Sequence, residues 1–103
     1  MASKLEVSEG LQYQSASEEL SYKITTTNWA STPTSPTVVV YDEADGSGVT
    51  LIVMPTNSPG VAGDIITLSP LKNLSEGHTY RIEIKFTATA NIWECFFRVS
   101  CPL

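Results

Sequence analysis

Hydrophobic positions along this chain come in short alternating runs cut by Gly, Pro, Asn and Ser, and no 3.6-residue spacing lasts beyond one turn. The clearest run is Thr79 to Thr87, where Tyr80, Ile82, Ile84 and Phe86 share one face and Arg81, Glu83, Lys85 and Thr87 the other. Ile92 to Ser100 repeats the pattern with Trp93, Cys95, Phe97 and Val99 on one side. Both predict strands with one dry face, paired antiparallel so that the two apolar faces coincide. Two hairpin registers meet that condition. A four-residue loop over Thr89–Ile92 sets Glu83 opposite Arg98, whereas a two-residue loop sets Lys85 opposite Glu94. The longer loop is favoured, because Thr89-Ala90 offers neither Gly nor Asn to a tight primed turn.

Upstream, short strands are predicted around Lys4 to Val7 and over Leu20 to Thr27, the latter aligning Leu20, Tyr22, Ile24 and Thr26. Trp29 falls on the opposite parity, so a bulge or strand end near Asn28 is needed to turn it inward. Ser31 to Pro36 reads as a loop, since two prolines do not suit a central strand. Thr37–Asp42 and Val49–Met54 then form a hairpin about Asp45-Gly46-Ser47-Gly48. After a loop at Pro55–Gly60, a short strand covers Asp64–Leu68, and Ser69–Gly77 crosses over to the closing hairpin. About seven strands with turn signals every eight to twelve residues predict an all-β fold of two packed antiparallel sheets. At 103 residues the whole chain, 1–103, makes one domain that buries a core without disulfides or metals.

The segment Leu71-Lys72-Asn73-Leu74-Ser75-Glu76-Gly77-His78-Thr79-Tyr80 resembles the crossover of fibronectin type III domains, in which leucine, glycine and tyrosine recur at the spacing of Leu74, Gly77 and Tyr80. That resemblance implies an immunoglobulin-like antiparallel sandwich with a tyrosine corner: the Tyr80 ring packs inward while its hydroxyl bonds backbone at the turn. It also implies that Trp29 is the buried tryptophan of the second strand. The match covers about ten residues, and the Pro-rich linker and the thiols of the last strand depart from the family pattern. More loosely, the layout Tyr22-x-Ile24-x-x-x-x-Trp29, a Pro-rich turn and a Trp-bearing last strand is similar to small immunoglobulin-like proteins among the structural genes of tailed phages. This second resemblance implies a virion adaptor or decoration.

Charge narrows the partners. Eleven acidic against six basic residues give a net charge of −5, which disfavours nucleic acid and anionic membrane, both of which need local Lys and Arg excess. Met1 to Gly10 lacks the apolar core of a secretory signal, and the longest apolar run, Leu51 to Met54, is far below a membrane span. Cys95 and Cys101 lie about 20 Å apart along one predicted strand, beyond disulfide reach, so two free thiols are expected. Free thiols favour a virion or cytoplasmic setting over secretion.

The inventory for catalysis is thin. His78, the only histidine, sits in the crossover beside Gly77 with no carboxylate close in sequence, and is expected to be a solvated loop residue. Cys95, between Trp93 and Phe97 on an inward face, reads as a buried, unreactive thiol. Asp42, Glu43 and Asp45 lack the spacing of a calcium loop and read as a turn; no zinc set exists, and no cofactor is expected.

The functional signal is a surplus of apolar residues. Val38-Val39-Val40-Tyr41 and Leu51-Ile52-Val53-Met54 do not alternate as strands with one wet face should. One set, Val39 with Tyr41 and Ile52 with Met54, joins Phe96 as an exposed apolar stripe rimmed by Arg81, Lys85 and Arg98. Either loops or the N-terminal segment cover such a stripe, or it points to a non-catalytic structural or protein-interaction module that binds a protein partner or its own copy through a sheet face. The alternative is a carbohydrate- or calcium-binding module of a larger surface protein, with Trp29, Tyr13 and Tyr41 as the sugar-stacking candidates.

Overall fold

Eight strands and one helical turn stand among the described residues of the computed structural model, which are 5–27 and 32–102, with side chains from Leu11 onward. Trp29 and Lys4 lie outside them. In chain order the elements are β1 (Leu5–Tyr13), β2 (Lys23–Thr25), β3 (Thr34–Asp42), β4 (Ser47–Gly48), α1 (Thr50–Val53), β5 (Gly60–Ala62), β6 (Ile65–Thr67), β7 (Thr79–Ala88) and β8 (Asn91–Ser100). They form two sheets in a sandwich-like arrangement, one of five strands in the order β1-β8-β7-β3-β4, the other of three in the order β2-β6-β5. The protein is thus mainly β, as its alternation requires. The all-antiparallel expectation fails at β1, which runs parallel to β8 with Leu11 beside Arg98 and Tyr13 beside Ser100.

The closing hairpin carries the core. Ile82, Ile84 and Phe86 of β7 and Cys95, Phe97 and Val99 of β8 are buried, and no helix interrupts either strand. Ile24 and Ile66 from the smaller sheet, Leu68 just after β6, and Val38 and Val40 from β3 join them in one cluster. Tyr22 meets Phe97 ring to ring at 5.1 Å across the two layers.

The hairpin register is the two-residue one. Lys85 stands opposite Glu94 and Arg81 opposite Arg98, so the preferred four-residue loop is wrong. Thr89 and Ala90 form the turn with φ of +52° and +63°, the positive values a type I′ turn demands. Both registers keep the apolar parity, but the tight turn pairs the strands to Ala88 and Asn91, and Trp93 Nε1–H donates to Ala88 O at 3.3 Å. Ladder bonds along ten-residue strands outweigh the strain of two non-glycine residues with left-handed backbone.

Two further expectations change. The Pro-rich segment is not all loop: β3 begins at Thr34, and one extra residue between Thr34 and Thr37, with Ser35 at φ +52°, forms a bulge that seats Pro36. The predicted Val49–Met54 strand is replaced by β4 and α1. Val49 N–H still donates to Val40 O at 2.9 Å, but the Thr50 hydroxyl then takes the Val40 N–H at 2.9 Å. With a side chain doing the work of the next backbone carbonyl, the chain coils, turning Val53 and Met54 inward together and leaving Leu51 and Ile52 outside.

The crossover before β7 is held by the corner residues. The Ser75 N–H donates to Tyr80 Oη at 2.8 Å, the Tyr80 ring and Leu74 are buried, and Gly77 turns the chain at φ +84°.

Candidate functional site

Alternation sends every second residue of β3, β7 and β8 to the outer side of the five-stranded sheet. The pairing lines them up in rows: Tyr41 beside Arg81 beside Arg98, then Val39 beside Glu83 beside Phe96, then Thr37 beside Lys85 beside Glu94. Six of the eight expected contact residues, Val39, Tyr41, Phe96, Arg81, Lys85 and Arg98, therefore share one face. Val39 is 41% exposed, while Tyr41 and Phe96 are half-buried by their neighbours.

Met54 and Ile52 do not belong to this face. Met54 is fully buried (0% exposed) in the core, and Ile52, 62% exposed, sits on α1 with its carbonyl accepting the Asn73 Nδ2–H at 3.1 Å. The helical turn destroys the strand parity on which both assignments stood.

Parallel β1 supplies two residues that the apolar count missed. Leu11 and Tyr13 extend the face beyond β8, Tyr13 at 65% exposure. Their only sequence signal is a two-residue alternation with Gln12 and Gln14, too polar to suggest a sheet edge.

Two arginines side by side on neighbouring strands repel, and the face answers this locally. Arg81 Nε donates to Glu83 Oε2 at 2.8 Å and lays its guanidinium 3.9 Å from the Phe96 ring centroid. Arg98 donates through Nε and Nη2 to Glu43 Oε1 at 3.1 and 3.0 Å. A shallow depression lined by Tyr41, Glu43, Gly46, Arg81 and Glu83 lies between the two pairs. Each exposed pair is worth only about 0–1 kcal/mol. Their larger effect is to cancel charge across the face.

A second polar cluster sits at the end of β3. His78 Nδ1 lies 2.7 Å from Asp42 Oδ2, so the histidine expected to be a free loop residue has a partner 36 positions away in the chain. Its ring stacks on Tyr80 at 6.3 Å, and Asp42 Oδ1 accepts the Ala44 N–H at 3.0 Å. Asp45 Oδ1 accepts the N–H and hydroxyl of Ser47, and these donors hold its carboxyl below the usual range. Among the described residues no three His, Cys, Asp or Glu side chains converge as metal ligands would.

Both cysteines are free and buried. Cys95 pairs with Ile84, six residues along β7 from His78 and so about 20 Å away along the strand. Burial pushes its thiol from 9.0 up to about 12, and pushes the Tyr22 hydroxyl, helped by Glu18, from 10.0 to about 12. Both acids hold their protons to higher pH in the folded state than in the unfolded chain. Their contribution to stability is complete below the unfolded value and is lost as pH rises toward the folded one. In urea unfolding from pH 8 upward, stability is expected to fall from about pH 9, with a shallower slope in Cys95→Ala; equal slopes would contradict the burial effect.

No protein-family model matches the sequence, and no curated protein matches it. Among the described residues no helix is long and apolar enough to cross a membrane.

Proposed function

We propose that this chain is a non-catalytic protein-interaction module of immunoglobulin-like layout, docking a protein partner through the outer face of its larger sheet. One observation carries the reading: Leu11, Tyr13, Val39, Tyr41 and Phe96 lie on one sheet face whose arginines are already paired. Apolar and aromatic groups beside paired arginines can be desolvated without orphaning a guanidinium. The immunoglobulin-like part rests on the division of β3, β7 and β8 into one sheet and β2, β5 and β6 into the other, and on the Tyr80 hydroxyl bonded to backbone five residues upstream. Parallel β1 and the helical turn α1 are its departures from that layout. A virion adaptor or decoration is the setting this reading favours, on the sequence resemblance.

The test uses purified products of the genes flanking this one, immobilised in turn. Phe96→Glu is expected to weaken binding of a captured partner at least tenfold, whereas Ala62→Glu, the same charge change on exposed β5, leaves it intact. Equal affinity for both variants would reject the face. Carbohydrate stacking keeps one supporting observation, the exposed Tyr13 ring beside Leu11. Glycan binding lost in Tyr13→Ala and kept in Phe96→Glu would favour it.

A further inference from the structure

We infer that the partner this face is built to meet is a second copy of the same chain, packed sheet to sheet about a two-fold axis. The inference rests on the reading of the face given above and adds the identity of its occupant.

Electrostatics makes the first argument. Two copies of a chain with net charge −5 repel each other over most of their surfaces. On the outer sheet face Arg81, Lys85 and Arg98 stand against Glu43, Glu83 and Glu94, and Glu6, opposite Phe96 in the register, adds one acid, so this face is nearly balanced. Most of the excess acid lies elsewhere, as at Glu18, Glu19, Asp64 and Glu76, outside the strands of this sheet. Charges further than about 8 Å from the contact are screened at physiological salt, so a balanced face is where two acidic copies approach at little cost. A basic or acidic partner would instead find no complementary field there.

Size makes the second. Four strands about 4.8 Å apart and nine or ten residues long, at about 3.3 Å per residue, present at most roughly 600 Å² per copy, or about 1,200 Å² over a pair. That equals the lower limit for a specific, stable interface.

Edge geometry makes the third. The free side of β3 is closed by side chains: the Thr50 hydroxyl takes the Val40 N–H, and Asn57 Nδ2–H donates to Val38 O at 3.0 Å. An added strand finds those backbone groups occupied, so β3 offers a second copy no open edge at Val38 and Val40.

Sedimentation equilibrium of the full chain from 10 to 500 µM tests the inference. A reversible dimer is expected, weakened at least tenfold by Phe96→Glu and by Val39→Lys, and unchanged by Ala62→Glu. Val39→Lys places its ammonium opposite Glu83 and so spares the fold. Raising salt from 20 to 150 mM is expected to strengthen the dimer or leave it unchanged, because screening relieves the repulsion between acidic copies. Weakening by salt would overturn the balanced-face argument. A monomer at every concentration overturns self-association while leaving the interaction-face proposal to its own binding test. A dimer indifferent to both face variants overturns the two together.

Discussion

Gln14→Leu is expected to destabilise the protein by about 2–3 kcal/mol, since three hydrogen bonds worth roughly 1 kcal/mol each converge on that side chain. Gln14 is 1% exposed just beyond β1, where its backbone N–H still donates to Ser100 O at 3.0 Å. Its Nε2 donates to Leu71 O at 2.6 Å and to Glu18 O at 3.0 Å, and its Oε1 accepts the Tyr22 hydroxyl at 2.9 Å. One amide thus ties the edge of the larger sheet to the crossover at Leu71 and to the strand entering the smaller sheet. Leucine fills similar volume but leaves the Tyr22 hydroxyl without its acceptor. For a domain of this size the loss lowers Tm by roughly 10–20 °C. Gln14→Glu is expected to be no better at neutral pH, because its carboxylate would face the two carbonyl oxygens that the amide now serves. Adding Tyr22→Phe to Gln14→Leu is expected to recover part of the loss, by removing the orphaned hydroxyl. Urea unfolding of the four proteins measures that coupling. A single-mutant loss below about 0.5 kcal/mol would show that the amide is not the tie described here.

The second large effect runs the other way. Thr89→Asn with Ala90→Gly is expected to stabilise the protein by about 1–2 kcal/mol and raise Tm by roughly 5–12 °C. Both positions hold positive φ, which crowds a Cβ against the backbone, most severely for β-branched Thr89. Asn-Gly adopts the I′ geometry readily; the extra unfolded-state freedom of glycine offsets part of the gain. No core contact is touched, since both residues are exposed. Were the strands joined by the wider loop, the exchange would leave stability unchanged or lower it.

That turn also shows where reading the chain residue by residue runs out. The apolar parity of β7 and β8 was plain in the sequence, because Tyr80, Ile82, Ile84 and Phe86 alternate with polar residues on β7, and Trp93, Cys95, Phe97 and Val99 share one parity on β8. Register was not, since a shift of two residues keeps that parity and only the summed ladder bonds and the Trp93–Ala88 bond separate the alternatives. Local turn chemistry pointed to the wrong one. At Leu51–Met54, four apolar residues in a row suit a buried strand and a helical turn equally well. The choice fell to the Thr50 hydroxyl, whose partner, Val40, is ten residues back. Ile52 and Met54 left the candidate stripe with that choice, while Val39, Tyr41 and Phe96 lie together on the outer face of β3 and β8.

By itself the sequence determined a mainly β chain, an inward set of large side chains on the closing hairpin, and the polar corner that enters it, because side-chain alternation and turn residues act over a few neighbours. Only the tertiary structure decided the strand order, the parallel seating of β1 that brings Leu11 and Tyr13 to the face, the Asp42–His78 pair and the Gln14 tie. Each of these joins residues far apart along the chain, and such pairings are chosen by the total burial and hydrogen bonding of the folded whole, which no short window of sequence contains.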